Sequence, residues 1–175
     1  FTNQEQSAVR KQKAKEKAYA DSVLNANRPK QDTIAMKTDS IKNDSIGRIT
    51  KAGQFQGGVS GTEQLVIAEN ELIKVTFTTK GGQPKKVELK KYKGQDSALL
   101  KLASSDFDNI SYQVNTSGNS STQVSDLFFS KVDQKKNPDG GTTVSFTLSS
   151  TDSSGASIMH EYNLKPNDYM VDFNV

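Results

Sequence analysis

The stretch from Val66 to Gly94 constrains the fold more than any other part of the chain, because apolar and polar side chains alternate along it. A period of two is typical of strands with one buried face. The pair Gly81-Gly82 tolerates positive φ and can close a tight hairpin. The stretch therefore predicts three antiparallel strands, whose inward residues are expected to be Leu65, Ile67, Ile73, Val75, Phe77, Val87 and Leu89.

The same alternation continues to the end of the chain. Further apolar or alternating runs cover residues 98–102, 110–114, 127–132, 142–149, 156–164 and 169–175, with turn residues such as the Asn-Pro-Asp-Gly-Gly segment at 137–141 between them. Because no helical pattern intervenes, the sequence predicts an all-β fold, an antiparallel β-sandwich. The last run reaches Val175, so the sandwich is expected to be incomplete. Phe1 stands where an initiator methionine would, so we expect the chain to be cut from a longer protein.

The first part of the chain is more basic than the rest and has few large apolar residues. Up to Ser60 it carries 11 basic and 6 acidic side chains, whereas from Gly61 onward it carries 12 and 14. The segment Ser7–Asn25 is rich in good helix formers but has few large apolar residues. We therefore predict a polar, basic spacer over residues 1–61, partly helical or disordered, followed by a β-sandwich domain over residues 62–175. The β part lacks the basic field of a nucleic-acid-binding domain, so no nucleic-acid partner is expected.

Composition narrows the chemistry further. There is no cysteine, which excludes disulfides, thiolate metal sites and thiol nucleophiles. No apolar run approaches the roughly 18–20 residues that a membrane helix needs, and no signal-peptide pattern is present. Any membrane-spanning or targeting segment is expected to lie outside this sequence.

Few residues suggest catalysis. His160 is the only histidine and lies on the apolar phase of its run, so a packed, hydrogen-bonded side chain is favoured over a general base, which would need a partner. Asp106 and Asp108 could bind a cation or act as an acid–base pair, but a solvated loop is favoured. Core or cross-strand packing is favoured over a stacking platform for the tyrosines. The tyrosines concerned are Tyr92, Tyr112, Tyr162 and Tyr169. No catalytic residue, metal ligand or cofactor is predicted, and ligand-binding residues stay unknown.

The run VIAENELIKVTFTTKGGQPKKVELKKYKG resembles the start of the large periplasmic domain of YidC-type membrane protein insertases, in their Bacteroides-like lineage. In that family a Glu-Asn-x-Leu strand is followed by a Phe-Thr strand, a Gly-Gly turn and a Leu-Lys-x-Tyr strand. The closing segment His160–Val175 is similar to a second stretch of the same domain, and the polar tail resembles the spacer after the first transmembrane helix. The positions that carry the first match are Glu69, Asn70, Leu72, Phe77, Gly81, Gly82, Leu89 and Tyr92.

The resemblance implies the N-terminal portion of a β-supersandwich of the galactose-mutarotase-like type, located in the periplasmic domain of an inner-membrane protein. It implies a structural role for the motif residues and no catalysis. The implied function is assistance, of a chaperone kind, in inserting and folding inner-membrane proteins, alone or with the Sec translocase. The implied partners are Sec components and nascent membrane proteins, with membrane attachment through segments outside this chain. The alternative is an extracytoplasmic carbohydrate- or peptide-binding β-sandwich module of a surface protein or lipoprotein.

Overall fold

The computed structural model describes residues 12, 13, 15 and 44–175. The chain divides into two compact units between Asp44 and Ser45, and the architecture below is that of the second unit. Most of the helix predicted at Ser7–Asn25 lies outside the described residues; residues 12, 13 and 15 are helical. None of the helices in the described part of the chain is both long and apolar enough to cross a membrane.

The first sheet contains the three-stranded antiparallel meander predicted from the Val66–Gly94 stretch, and a fourth strand extends it. Its strands, which neighbour one another in chain order, are β1 (Leu65–Glu69), β2 (Ile73–Thr78), β3 (Gln83–Lys93) and β4 (Leu99–Ala103). The Gly81-Gly82 pair closes the β2–β3 hairpin with φ values of 75° and 55°, which only glycine adopts at little cost.

A separate antiparallel hairpin comes next in the chain, with strands β5 (Gln113–Thr116) and β6 (Ser120–Gln123). A 3-10 turn at Ser117–Asn119 closes the hairpin, and another at Val124–Asp126 follows it. The second sheet is also an antiparallel meander, whose strands neighbour one another in chain order: β7 (Lys131–Lys136), β8 (Thr142–Ser149), β9 (Ser157–Leu164) and β10 (Val171–Asn174).

The hydrophobic core lies between the two meanders. Phe77 of β2 packs its ring 5.9 Å from that of Phe146 in β8 and 4.8 Å from that of Tyr162 in β9. All three side chains are almost completely buried. The predicted antiparallel all-β sandwich is confirmed.

The phase predicted for β1 was wrong. Leu65 and Ile67 are 58% and 50% exposed, while Ala68 is buried and Val66 packs against the core. The cause is the register: Ile67 lies opposite Thr76, on the outer face of β2, because Val75 and Phe77 occupy the inner face. With apolar residues at both phases of β1, alternation alone could not decide which side faced inward.

Residues 45–61, just before the sheets, also belong to the second unit. A helix over residues 44–52, which we call α1, runs into a 3-10 helix at Gly53–Gly58. Ala52 and Phe55 are buried in the core, and Gly58 accepts a 2.7 Å hydrogen bond from the Phe128 N–H. Residues 45–61, which the composition grouped with the spacer, thus pack on the sandwich through two apolar side chains.

Candidate functional site: two junctions and two clefts

The eight predicted motif residues lie along the first sheet and its turns. Phe77 and Leu72 are buried, whereas Tyr92 is 53% exposed. Glu69 is an exposed partner of Lys90, at 3.5 Å between Oε2 and Nζ. The remaining polar and glycine positions meet the second sheet at two places, which we call the asparagine junction and the histidine junction.

The asparagine junction joins the β1–β2 turn to the β9–β10 turn through one side chain. The Asn70 Nδ2 group donates to the carbonyl oxygens of Lys165 and Asp168, each at 2.7 Å. Its Oδ1 accepts the N–H groups of Leu72 and Ile73, at 2.8 and 2.9 Å. The amide therefore uses both donors and its acceptor, capping its own turn and linking it to the other sheet.

Neighbouring residues strengthen this junction. The Glu71 carboxylate accepts the N–H of Asn167, a turn residue with a φ of 51°, at 2.8 Å. Hydrogen bonding from that N–H lowers the pKa of Glu71. Tyr92 and Tyr169 place their ring centres 6.4 Å apart at the same end of the sandwich. This ring contact joins the two sequence stretches that carried the resemblance, with Tyr92 in β3 and Tyr169 in the turn before β10.

The histidine junction joins the Gly81-Gly82 turn to β9. The Gly82 carbonyl accepts hydrogen bonds from the His160 Nδ1–H at 2.8 Å and from the Tyr162 hydroxyl at 2.9 Å. A Cβ added at Gly82 would lie 3.0 Å from the nearest ring carbon of Phe129. The glycine is thus required both for its backbone conformation and for the close approach of an aromatic ring.

His160 is fully buried and fully hydrogen-bonded. Because a carbonyl can only accept, Nδ1 must carry the proton, and Nε2 then accepts from the Tyr112 hydroxyl at 2.8 Å. Burial lowers the pKa of His160, and burial likewise raises the pKa values of Tyr112 and Tyr162. The interpretation of His160 as a packed, hydrogen-bonded side chain is confirmed. Its two nitrogens are occupied by structural partners.

Asp106 and Asp108 lie in the loop that follows β4. The Asp108 carboxylate accepts the N–H groups of Ser104 and Ser105 and the Ser105 hydroxyl, which lowers its pKa. Asp108 therefore holds the loop together. Over the described residues, no group of three or more His, Cys, Asp and Glu side chains could hold a metal ion.

Two open clefts lie on the second unit. The first, of about 450 Å³, lies between the β2–β3 hairpin, the loop after β4 and the 3-10 turn before Leu127. Its charged lining residues are Glu63, Lys80, Lys85, Asp106, Asp108 and Asp126. The second, of about 390 Å³, lies between α1 and the β5–β6 hairpin, with Arg48 and Lys51 at its edge and Val59 and Leu127 in its lining.

Sequence reasoning did not anticipate the two junctions. The signals were the Glu-Asn pair at Glu69-Asn70, which was read as part of a strand, and the polar Pro-Asn-Asp segment at residues 166–168, which was read as a local turn. Nothing in their spacing shows that one turn's amide reaches the other's carbonyls across some 95 residues of chain.

Comparisons with known proteins support the assignment that the motifs suggested. Three membrane protein insertases named YidC are similar to this chain. The one from Phocaeicola vulgatus is 28% identical over 93% of this chain and 25% of the relative. Those from Parabacteroides distasonis and Bacteroides fragilis are 27% and 26% identical over 81% and 91% of this chain and 22% and 25% of the relatives. The chain thus spans about a quarter of the length of these relatives.

No solved structure shows a significant match to the chain. The sequence model described as the YidC periplasmic domain, however, matches residues 66–175, which include both junctions and both of the stretches quoted above. The chain therefore belongs to the YidC periplasmic domain family, which confirms the family and the periplasmic location expected from its sequence.

Proposed function

We propose that this chain is a non-catalytic part of a membrane insertase, which assists the insertion and folding of inner-membrane proteins alone or together with the Sec translocase. The family match over residues 66–175 is the observation that carries this proposal. The arrangement of polar groups supports the non-catalytic part, because a general base needs a free nitrogen or carboxylate within reach of a substrate. Neither nitrogen of His160 is free, and of the pair Asp106 and Asp108 the second is engaged by its own loop, so the two do not form an acid–base pair.

We also propose that the motif residues have a structural role and hold the two sheets together. Asn70 and Gly82 each contact both sheets, and Phe77 fills the core between them. Their joint effect is to fix the relative position of the two meanders. A surface that contacts other proteins benefits from such support, because partners then meet a preorganised shape.

A domain exchange tests the function. In the relative from Phocaeicola vulgatus, the matched segment is replaced by this chain or deleted, and insertion of a reporter membrane protein is measured by protease accessibility. The exchanged protein should insert the reporter as the parent does, while the deletion should lower insertion. If the exchanged protein reaches the membrane in normal amount and yet behaves like the deletion, the functional assignment is wrong.

Two further measurements separate the finer parts of the proposal. An Asp106→Asn, His160→Gln double variant of the exchanged protein should keep its insertion activity once folding is verified, and loss of activity in a folded protein would indicate catalysis. A photo-crosslinking amino acid at exposed positions such as Lys91 and Lys131 should capture Sec translocase components. A complete lack of such products at all exposed positions would show that Sec translocase components are not partners of this chain.

The first cleft favours a second candidate function, that of a carbohydrate- or peptide-binding module. Its volume of about 450 Å³ is in the range of small-ligand sites. Half of its lining residues are charged, however, and most of the others are polar, whereas ligand sites are usually apolar with a few polar groups. We expect no strong ligand on a glycan array, and submicromolar binding to one sugar class would favour this candidate over the first.

A further inference from the structure

A nearly buried side-chain amide, that of Gln83, lies at the first cleft. Gln83 follows the Gly81-Gly82 turn as the first residue of β3, is only 8% exposed, and lines the cleft. Its Oε1 atom accepts a hydrogen bond from the Ile110 N–H. Because a main-chain N–H can only donate, the oxygen must face Ile110, and the Nε2 group points away from it.

The Nε2 group of this amide is an unused donor. It carries two hydrogens and has no hydrogen-bond acceptor within the described part of the chain. Over those residues, no side-chain nitrogen or oxygen is both without a partner and sealed from solvent. The Nε2 group is therefore open to solvent, and it opens into the cleft that Gln83 lines. A donor held in this way can meet an acceptor that enters the cleft.

The glycine turn leaves the space that the amide occupies. A Cβ added at Gly81 would lie 2.8 Å from the Gln83 Nε2 atom and 3.2 Å from the Ser125 Cα, and Ser125 also lines the cleft. A larger residue at position 81 would displace the amide, besides being strained at a φ of 75°. The Ile110 N–H on one side and the turn on the other thus fix the amide, so its binding to a ligand costs little ordering entropy.

The other lining residues restrict what the cleft can take. Four carboxylates and two lysines line it, which disfavours a phosphate or another anion. Among the described residues that line it there is no aromatic ring on which a sugar could stack, and Pro84 is the only apolar residue. A neutral polar group that accepts hydrogen bonds fits these properties best.

We propose that the first cleft binds an extended polypeptide segment of another protein, and that a main-chain carbonyl of this segment accepts a hydrogen bond from the Gln83 Nε2 group. Every residue of a polypeptide offers such a carbonyl, which is neutral and a strong acceptor. In an extended segment the carbonyl has no partner within the segment itself. Recognition of a main-chain group does not depend on sequence, whereas the excess of carboxylates excludes segments rich in aspartate or glutamate. The inference rests on the peptide-binding candidate function given above, and it identifies the group that this function would recognise.

Nuclear magnetic resonance of the isotope-labelled chain tests the proposal, because the side-chain NH₂ group of Gln83 gives its own signal. The probe is an uncharged octapeptide of serine, asparagine and glycine with both ends blocked. A matched peptide carries aspartate in place of asparagine, and maltose is titrated separately. We expect the uncharged peptide to shift the Gln83 signal saturably with a Kd of about 0.1–3 mM. The aspartate peptide should bind at least about fivefold more weakly, and maltose should not shift the signal.

A pair of variants with the same charge change locates the site. In Gln83→Glu one carboxylate oxygen can still accept the Ile110 N–H, while the other replaces the Nε2 donor, so peptide binding should weaken at least about fivefold. Gln95→Glu adds the same charge at an exposed position after β3 and should change binding less than about twofold. Thermal denaturation checks that both variants fold. If Gln83→Glu does not fold, a nuclear Overhauser effect between the wild-type Gln83 NH₂ group and the peptide decides instead.

Three outcomes would overturn the proposal. They are the absence of a saturable shift of the Gln83 signal up to about 10 mM peptide, equal binding by the wild-type chain and folded Gln83→Glu, and equal binding of the uncharged and aspartate peptides. If maltose shifts the Gln83 signal and the peptide does not, the cleft binds sugar; the main-chain inference is then wrong while the binding-module candidate stands. None of these results depends on the insertion assay, so this inference and the insertase function can fail separately.

Discussion

Replacing Asn70 is the most direct test of how the two sheets are joined. Asn70→Ala removes four hydrogen bonds of 2.7 to 2.9 Å, two within the β1–β2 turn and two to the β9–β10 turn. A hydrogen bond contributes about 0.5–1.5 kcal/mol net. Because the side chain is only half-buried, we expect a loss near the lower end of the sum, about 2–3 kcal/mol. This corresponds to about 10 °C in melting temperature for a domain of this size.

Asn70→Asp separates the two halves of this effect. One carboxylate oxygen can still accept the N–H groups of Leu72 and Ile73, so the turn keeps its cap. The other oxygen would face the carbonyl oxygens of Lys165 and Asp168, where the wild-type amide donates at 2.7 Å. Mutual repulsion of these oxygens should make Asn70→Asp at least as destabilising as Asn70→Ala.

Urea unfolding followed by circular dichroism and tyrosine fluorescence measures both changes, since the chain has five tyrosines and no tryptophan. Asn115→Ala is the matched control, because Asn115 is an exposed asparagine of β5 with no side-chain hydrogen bond in the described part of the chain. Its effect should stay within about 0.5 kcal/mol. If Asn70→Asp also stays within that range, the bonds across the junction contribute nothing and the two turns are held together by other contacts.

Two further changes probe the turn glycine and the histidine. Gly82→Ala should destabilise the domain by about 1–3 kcal/mol, because it adds a Cβ at φ 55° beside the Phe129 ring. The control is Gly47→Ala, in α1 with open space around it, which should be neutral or stabilising by up to about 1 kcal/mol. Equal effects of the two changes would contradict the close approach of Phe129 to Gly82. The pKa of His160 in the folded chain lies below its ordinary 6.5, so the unfolded state takes up the proton first as pH falls. The stability that this buried neutral side chain contributes is therefore fully present above pH 6.5 and is lost as pH falls through the folded-state pKa. The single histidine resonance in proton NMR should therefore titrate below pH 6.5, and His160→Gln should flatten the decline of stability below that pH; titration at or above 6.5 would refute the buried neutral state.

Local sequence patterns predicted most of the fold because the information needed was itself local. Strand alternation and turn residues place each hairpin between neighbours in the chain, and the Gly81-Gly82 turn is visible as a glycine pair. The strand β6 was not predicted, because its four residues, Ser120–Gln123, are all polar. The prediction of which face of β1 is buried was wrong for the opposite reason. Both faces carry apolar side chains, which are those of Leu65, Val66, Ile67 and Ala68.

The site was predictable only as a set of residues and not as an arrangement. The motif marked Asn70 and Gly82 as positions of interest, and the second stretch marked His160 and Tyr162, but no local rule pairs a turn with a strand some 80 residues away. Such pairings are set by how the two finished sheets pack, which depends on the volumes of the side chains between them.

The two junctions join the two stretches that suggested the family. Residues 66–94 form three strands of one sheet, and residues 160–175 form two strands of the other. Besides sharing a core, the sheets meet where Asn70 contacts the β9–β10 turn and where Gly82 contacts His160. Each contact needs a particular residue on one side, a bidentate amide or a glycine, whereas the apolar positions between them accept any residue of suitable volume. A change at Asn70 or Gly82 should therefore alter the stability of the domain before it alters any surface that a partner binds.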